Sequence, residues 1–364
     1  MIKEEVMIFL VYIIMGAVLI LTPTFSRRDV FFGVKIPPSF RKKETYRKVF
    51  INFLIYEITA LSLNGVIFGM IYSRYSNDVV LAAMIMIMLP ISYVGMYSSY
   101  KKVKELKALE NLTNKKTQVV IDTELSRNRS KFLISQMWFI IPIIIVIFNV
   151  IITYSLYEGI GDVIATKWSL TGEVIKTQPK SYRSAFLIPI SQVMSTVIMF
   201  FVYKGIAWSK NQVRSKNTKK SIERLKNNKR RMSIMLVVTL IVMMLQMTIN
   251  QLQILGIVPA KGDIIVAVNL VVPIVLFIVI IYMVYKTIKD NKEEEQEDTE
   301  NLDDYIENDD DKYWKIGMFY VNKNDPSIFV EKRYGIGYTI NFGRIESILM
   351  FIALIVIIVV MANI

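Results

Sequence analysis

One carboxylate stands where an ionisable group is hardest to place. Glu57 lies inside the apolar run 49–72, and it is the only acidic or basic side chain well within any such run of the chain. A charge near the centre of a bilayer costs about 3 kcal/mol on insertion scales, so such a residue marks either a site or a packing device. As a site, Glu57 would hold a proton, a cation or part of a ligand. As a packing device, it would hydrogen-bond to Asn52 or Asn64. A second polar group lies in the run 232–253, where Gln246, Asn250 and Gln253 recur at helical spacing and so share one face. With Asn149, Gln192 and Asn269, they either tie helices together at about 0.6 kcal/mol each or line a path for a solute.

Most other chemistry is excluded by composition. The chain has no Cys and no His, which removes thiolate nucleophiles, disulfides, imidazole relays and the common zinc and haem ligand sets. Paired Asp residues inside apolar runs, as intramembrane aspartyl proteolysis needs, are missing, and so is a GxxxxGK[ST] phosphate loop. No catalytic residue, metal site or cofactor is expected.

These groups must be positioned by helices that cross a membrane. Hydrophobic residues make up 53% of the 364, against 21% charged, more apolar surface than a soluble domain can hide. A crossing helix needs about 20 mainly apolar residues. Eight runs qualify: 5–22, 49–72, 79–98, 134–157, 184–204, 232–253, 264–285 and 346–362. The first runs into Pro23 and two arginines and lacks a small-residue cleavage site, so it reads as a retained helix. The expected fold is an all-α integral membrane protein of about eight transmembrane helices.

Lys and Arg set the direction of threading, because cytoplasmic loops hold the excess. Of 44 basic residues, 37 fall in 23–48, 99–133, 204–231 and 286–345, and the alternate segments share the remaining seven. Both termini are therefore expected outside a bacterial cytoplasmic membrane. The net charge of +13 then faces the inner leaflet, so the partner it implies is the lipid bilayer and no nucleic acid is expected.

The pattern divides the chain into a membrane region 1–133 with basic loops, a membrane part 134–204 with an external loop 158–183, and a basic loop with two spans over 205–285. An acidic linker follows at 286–312, then an aromatic segment at 313–345 and a last span at 346–364. Residues 290–311 are densely acidic and read as a solvated tether. Residues 313–344 hold eight aromatics and read as a small hairpin around Asn322–Pro326, or as an interfacial segment. The run Phe31–Pro38 has a similar texture and could dock against that hairpin. Outside, loop 158–183 offers Trp168 and Tyr182 as interfacial anchors and a turn at Leu170–Glu173. With Lys167 and Gly172, these are the residues an external ligand could meet.

Three segments together resemble a known family. Ile164–Glu173 followed by Lys180-Ser181-Tyr182 and Phe186–Pro189 is similar to a bacterial membrane domain of unknown function. That domain also occurs in the immunity protein against the sporulation-delaying toxin. Phe32–Pro37 resembles a motif of its longer members, and Asp325–Val330 with Lys332–Phe342 resembles their C-terminal extension. Where those members usually carry Pro, His and Asn around the loop Trp, this chain has Ala165, Lys167 and Ser169. The resemblance implies a non-enzymatic immunity or sensing protein that meets a secreted peptide outside and holds a regulator inside. A secondary transporter using Glu57 and the polar face of 232–253 is the alternative, although no internal repeat or pair of broken spans accompanies it.

Overall fold

The computed structural model describes residues 2–27, 29–75, 78–110, 114–115, 129–169, 172–209, 218–297, 306–307, 309–335, 337–352 and 355. It is mostly helical. Among the described residues, six helices are long and apolar enough to cross a membrane: Glu44–Tyr75, Ala83–Leu109, Gln136–Leu156, Leu187–Trp208, Ile222–Ile254 and Gly262–Met283. They match the second to seventh expected runs. The first run is helical over Ile2–Leu21. The last begins as helix at 345–352, and most of its length lies outside the described residues.

In chain order the helices are α1 (Ile2–Leu21), α2 (Glu44–Tyr75), α3 (Asp78–Leu109), α4 (Ile140–Leu156), the single turn α5 (Tyr182–Ala185), α6 (Leu187–Trp208), α7 (Thr218–Ile254) and α8 (Gly262–Glu297). The short strands are β1 (Val30–Phe31), β2 (Val34–Lys35), β3 (Asn114–Lys115), β4 (Val163–Trp168), β5 (Val174–Pro179), β6 (Ile306–Glu307), β7 (Trp314–Lys315), β8 (Phe319–Tyr320), β9 (Phe329–Glu331) and β10 (Tyr338–Ile340). Contacts divide the chain into two units, one of Met1–Val120 with Val284–Ile345 and one of Ile121–Met283 with Glu346–Ile364.

In the first unit, α2 buries one stripe, Tyr46, Val49, Phe53, Glu57, Leu61 and Asn64, at steps of three and four residues. The stripe meets α3 running the other way, with Glu57 opposite Ser92 and Asn64 opposite Met84. Off the stripe, Ile55, Val66 and Met70 are 60%, 58% and 62% exposed. Apolar surface of this extent suits lipid, not water. α1 joins through Tyr12, whose hydroxyl donates to the Leu61 carbonyl at 2.6 Å.

One end of this unit is capped by irregular chain. The β1–β2 hairpin puts Phe31, Phe32, Val34 and Ile36 into a core with Tyr46, Phe53, Met96, Val103 and Tyr334. The expected docking of Phe31–Pro38 on the aromatic segment is present. It depends on Gly33, where a Cβ would lie 2.6 Å from the Tyr334 ring and 2.9 Å from Gly317 Cα. The aromatic segment differs from expectation in its turns. It forms two antiparallel hairpins, β7–β8 and β9–β10, and Asn322–Pro326 joins them instead of reversing one. The first hairpin turns at Ile316 and Gly317, whose φ values of +57° and +71° suit a tight hairpin loop. The acidic run read as a tether is also built into structure at both ends. α8 continues to Glu297, and Asp309–Asp311 are paired with cations.

In the second unit, α4, α6 and α7 pack together. The antiparallel β4–β5 hairpin connects α4 to α5 and α6. It is pinned at several points. Ile164 is buried, the Lys180 amide donates to the Asp162 carbonyl at 2.8 Å, and Ser181 and Ser184 form a reciprocal cap on α5.

Candidate functional site

Glu57 is fully buried between α2 and α3. Its Oε2 accepts a hydrogen bond from Ser92 Oγ at 2.8 Å, whereas Oε1 has no partner among the described residues. Gly95 allows the close approach, since a Cβ there would stand 2.8 Å from Glu57 Oε1 and 2.6 Å from the Tyr56 ring. Neither expected partner is used. Asn52 is exposed, because an offset of five residues turns it about 140° from Glu57 on the helix. Asn64 lies on the buried stripe but two turns away, where its Nδ2 donates to Tyr12 Oη at 3.0 Å and to the Met84 carbonyl at 3.2 Å. The partner that matters is Ser92, which sits with Gly95 and Ser99 on one face of α3. That spacing of three and four is the sequence signal for this contact.

The polar face of α7 is only partly engaged as expected. Gln246 donates to Asn269 Oδ1 at 3.0 Å, and Asn250 is half-buried. The central network runs through other residues. Asn149 Nδ2 donates to Gln192 Oε1 at 2.9 Å and to Thr248 Oγ1 at 2.7 Å. Gln251, which is fully buried, donates to Thr153 Oγ1 at 2.9 Å and to the Ala185 carbonyl at 3.0 Å. Thr153 and Thr248 were missed because a lone Thr in an apolar run gives no sequence signal. Asn149 Oδ1 and Gln251 Oε1 are left without partners among the described residues.

On the hairpin, Lys167 pairs in register with Lys176, and Trp168 with Val174. Trp168 is half-buried, and the side chain of Lys167 lies outside the described residues. Gly172 has φ +93°, and a Cβ there would come within 2.6 Å of the Ala260 carbonyl oxygen and 3.1 Å of the Gly262 amide. Its backbone therefore rests against the connection between α7 and α8. Tyr182 stacks on Tyr157 with centroids 4.2 Å apart and planes at 9°. Lys180 Nζ lies 5.0 Å from the Tyr157 centroid and donates to the Ile160 carbonyl at 2.9 Å. These contacts fix the base of the hairpin. β5 itself is left open: five of its six residues are exposed, Val174 and Ile175 among them.

The capped end of the first unit holds the densest charge. Arg333, buried to 3% exposure, donates to Asp310, to Asp311 and to the Gly33 carbonyl. Its guanidinium stacks over Trp314 at 4.9 Å. Lys107 reaches Asp309 at 2.6 Å and also Asp311, and Arg27 bonds Asp29 at 2.6 Å. Burial pushes the Asp310 carboxyl upward, but the charges of Arg333, Lys35 and Arg27 outweigh it and hold the group below its usual 3.8. Burial lowers the Lys35 ammonium, and nearby Asp29 restores only part of that. The cluster is internally matched in charge and welds the loop before α2 to the aromatic segment.

Residues 323–348 of the chain match a family of unknown function (DUF5808). The matched stretch covers the second hairpin and the turn before it. Its polar residues have structural work there: Asn341 Nδ2 reaches the carbonyls of Asn322 at 2.8 Å, Asp325 at 3.1 Å and Ser327 at 3.2 Å. Its Oδ1 accepts from the amides of Asn322 and Gly343, each at 3.0 Å. At Gly343 a Cβ would lie 2.6 Å from Asn322 backbone atoms. The match thus falls on the residues that lock the 322–328 turn. No curated protein and no solved structure matches the chain.

Proposed function

We propose that this multi-pass membrane protein has a non-enzymatic immunity or sensing role in the bacterial cytoplasmic membrane, directed at a secreted peptide or an envelope component. In this reading eight helices cross the bilayer and both termini lie outside. Segment 134–204 carries the recognition element, and the basic and aromatic inner segments hold a regulator. The observation that carries the reading is the open β5 strand. Its turn rests through Gly172 on the connection between α7 and α8, and its base is fixed by Lys180 and the Tyr157–Tyr182 stack, yet nearly all of its own side chains are exposed. A preformed strand whose outer edge pairs with no other strand among the described residues is a ready acceptor for an extended peptide. The resemblance of Ile164–Tyr182 to the toxin-immunity domain points the same way. The joint packing of the loop before α2, the end of α3 and the aromatic segment supports the threading, which needs all three on one side.

The test is survival under a panel of secreted and membrane-active peptides. Cells lacking the protein should become sensitive to at least one peptide, and restoring the chain with β5 replaced by a Gly-Ser strand should fail to rescue them. Equal survival of deletion and wild-type cells across the panel overturns the reading.

A second reading, a secondary transporter, is favoured by Oε1 of Glu57, which is buried and has no partner among the described residues. It requires gradient-driven solute movement that disappears in Glu57→Gln.

A further inference from the structure

The crossing of α4, α6 and α7 is short of hydrogen-bond donors. Two rungs of side chains span the α4–α7 seam, Asn149 with Thr248 and Thr153 with Gln251. Four residues on α4 and three on α7 separate the rungs, a rise of about 4.5–6 Å. Gln192 of α6 joins the first rung by accepting from Asn149, and the Ala185 carbonyl of α5 joins the second by accepting from Gln251. Asn149, Thr153, Gln192 and Gln251 are each fully buried.

The hydroxyl donors of this network are already used. A threonine has one hydrogen to give. Thr248 gives it to the Met244 carbonyl at 2.9 Å, and Thr153 to the Asn149 carbonyl at 2.6 Å. Nor can the amides be turned over. Reversing Gln192 would set its oxygen against the Met244 carbonyl, which its Nε2 meets at 3.1 Å. Reversing Gln251 would do the same at Ala185, and reversing Asn149 would face its oxygen to Gln192 Oε1. Two backbone carbonyls thus fix the orientation of the whole set. Asn149 Oδ1 and Gln251 Oε1 are what it leaves over, buried acceptors with no partner among the described residues. A bare acceptor in a low-dielectric interior is costly.

These oxygens select their occupant. It must bring donors, which excludes an anion or a hydrocarbon. A cation would meet no counter-charge, because residues 136–156, 187–203 and 232–254 contain no charged side chain, and an isolated buried charge costs far more than a missing hydrogen bond. Two O–H···O bonds meeting at one water bridge oxygens about 4.5–5.5 Å apart, which matches the rise between the rungs. We propose that one water molecule binds in the α4–α7 seam, donating one hydrogen to Asn149 Oδ1 and the other to Gln251 Oε1. It completes the network at a depth where lipid supplies no donor. Since Gln251 also holds Ala185, it joins the α5 turn beside the β4–β5 hairpin to the helices below. The site is independent of whether that hairpin takes a peptide.

The experiment is magnetisation transfer from water by solid-state NMR, on the full chain in lipid bilayers with Asn and Gln labelled with nitrogen-15. N149L and Q251M, each missing one side-chain amide signal, assign the two amides. In wild type both should receive magnetisation from water, although each lies within a membrane-crossing stretch. In Q251M the transfer to Asn149 should be lost, and in N149L the transfer to Gln251. N250L, which removes a half-buried asparagine of the same helix that takes no part in these bonds, should leave both as in wild type. Circular dichroism and the melting temperature check that every variant is folded, and the wild-type measurement needs no variant to fold. No transfer to either amide in wild type, or transfer to Asn149 that persists in Q251M, would overturn the site. A shift of either amide signal when sodium is exchanged for choline would overturn it too, by marking a bound cation.

Discussion

Gly33→Ala should loosen the whole cap of the first unit, and the size of the effect can be worked from two contacts. Gly33 has φ +75°, and an added Cβ would fall 2.6 Å from Tyr334 Cε2 and 2.9 Å from both Cα and O of Gly317. A left-handed backbone costs a non-glycine residue roughly 1–2 kcal/mol, and overpacking against a filled core adds about 1–3 kcal/mol. Gly317 cannot readily retreat, because its own Cβ position already lies 2.9 Å from the Tyr100 ring. The expected total is about 2–5 kcal/mol. Gly335→Ala supplies the control: its φ is +67°, but the nearest atom to its Cβ is Thr22 Cγ2 at 3.8 Å. That variant should carry the backbone term alone, about 1–2 kcal/mol. Trp314 is the single tryptophan of the first unit, the others being Trp138, Trp168 and Trp208. Thermal unfolding in mild detergent, followed by fluorescence after those three are replaced by Phe, therefore reads this unit. Equal destabilisation by the two glycine variants would mean that Gly33 is not pressed on Tyr334 and Gly317, and the docking of the two aromatic segments would be refuted.

Two further outcomes are expected. Glu57→Gln keeps an acceptor for Ser92 Oγ and nearly the same volume, so its melting temperature should stay close to wild type. Glu57→Ala should lose about 2–4 kcal/mol through a buried cavity and an orphaned Ser92 hydroxyl; equal melting of Ala and Gln variants in detergent would show that this contact contributes nothing. Asp310 has a lower pKa folded than its usual 3.8, so between the two values the unfolded chain binds the extra proton. Its contribution to stability is complete above the ordinary carboxylate range and drains away as pH falls through the folded value. Melts followed at Trp314 should therefore hold steady down to about pH 4 and drop below it, and Asp310→Asn should flatten that drop; an unchanged acid limb in the variant would remove Asp310 as its cause.

Periodicity made the helices legible, but not their partners. An apolar run of sufficient length can satisfy its backbone in a bilayer only as a helix, so the runs from 49 to 285 were readable from composition alone. Which polar residue meets which is decided by helix rotation and depth, and a sequence encodes these only through the identity of small residues at crossings. Gly95 is the case in point. It sits three residues from Ser92, and its missing side chain is what lets Glu57 come up against that face of α3. In unit two, Thr153 and Thr248 were invisible for a related reason: a helical Thr can satisfy its hydroxyl on the carbonyl four residues back, as both do here at 2.6 Å and 2.9 Å. Its further role as an acceptor for Gln251 or Asn149 then depends on a neighbouring helix. The charged cap was half legible. Aromatic texture marked Phe31–Pro38 and residues 313–344 as related, yet the acid that joins them came from a run that reads as solvated tether. Three aspartates at its end found cations fixed by other segments, and that placement overrides composition. An acidic run stays in water only while no prearranged set of cations lies within its reach, and here Lys107 and Arg333 provide one.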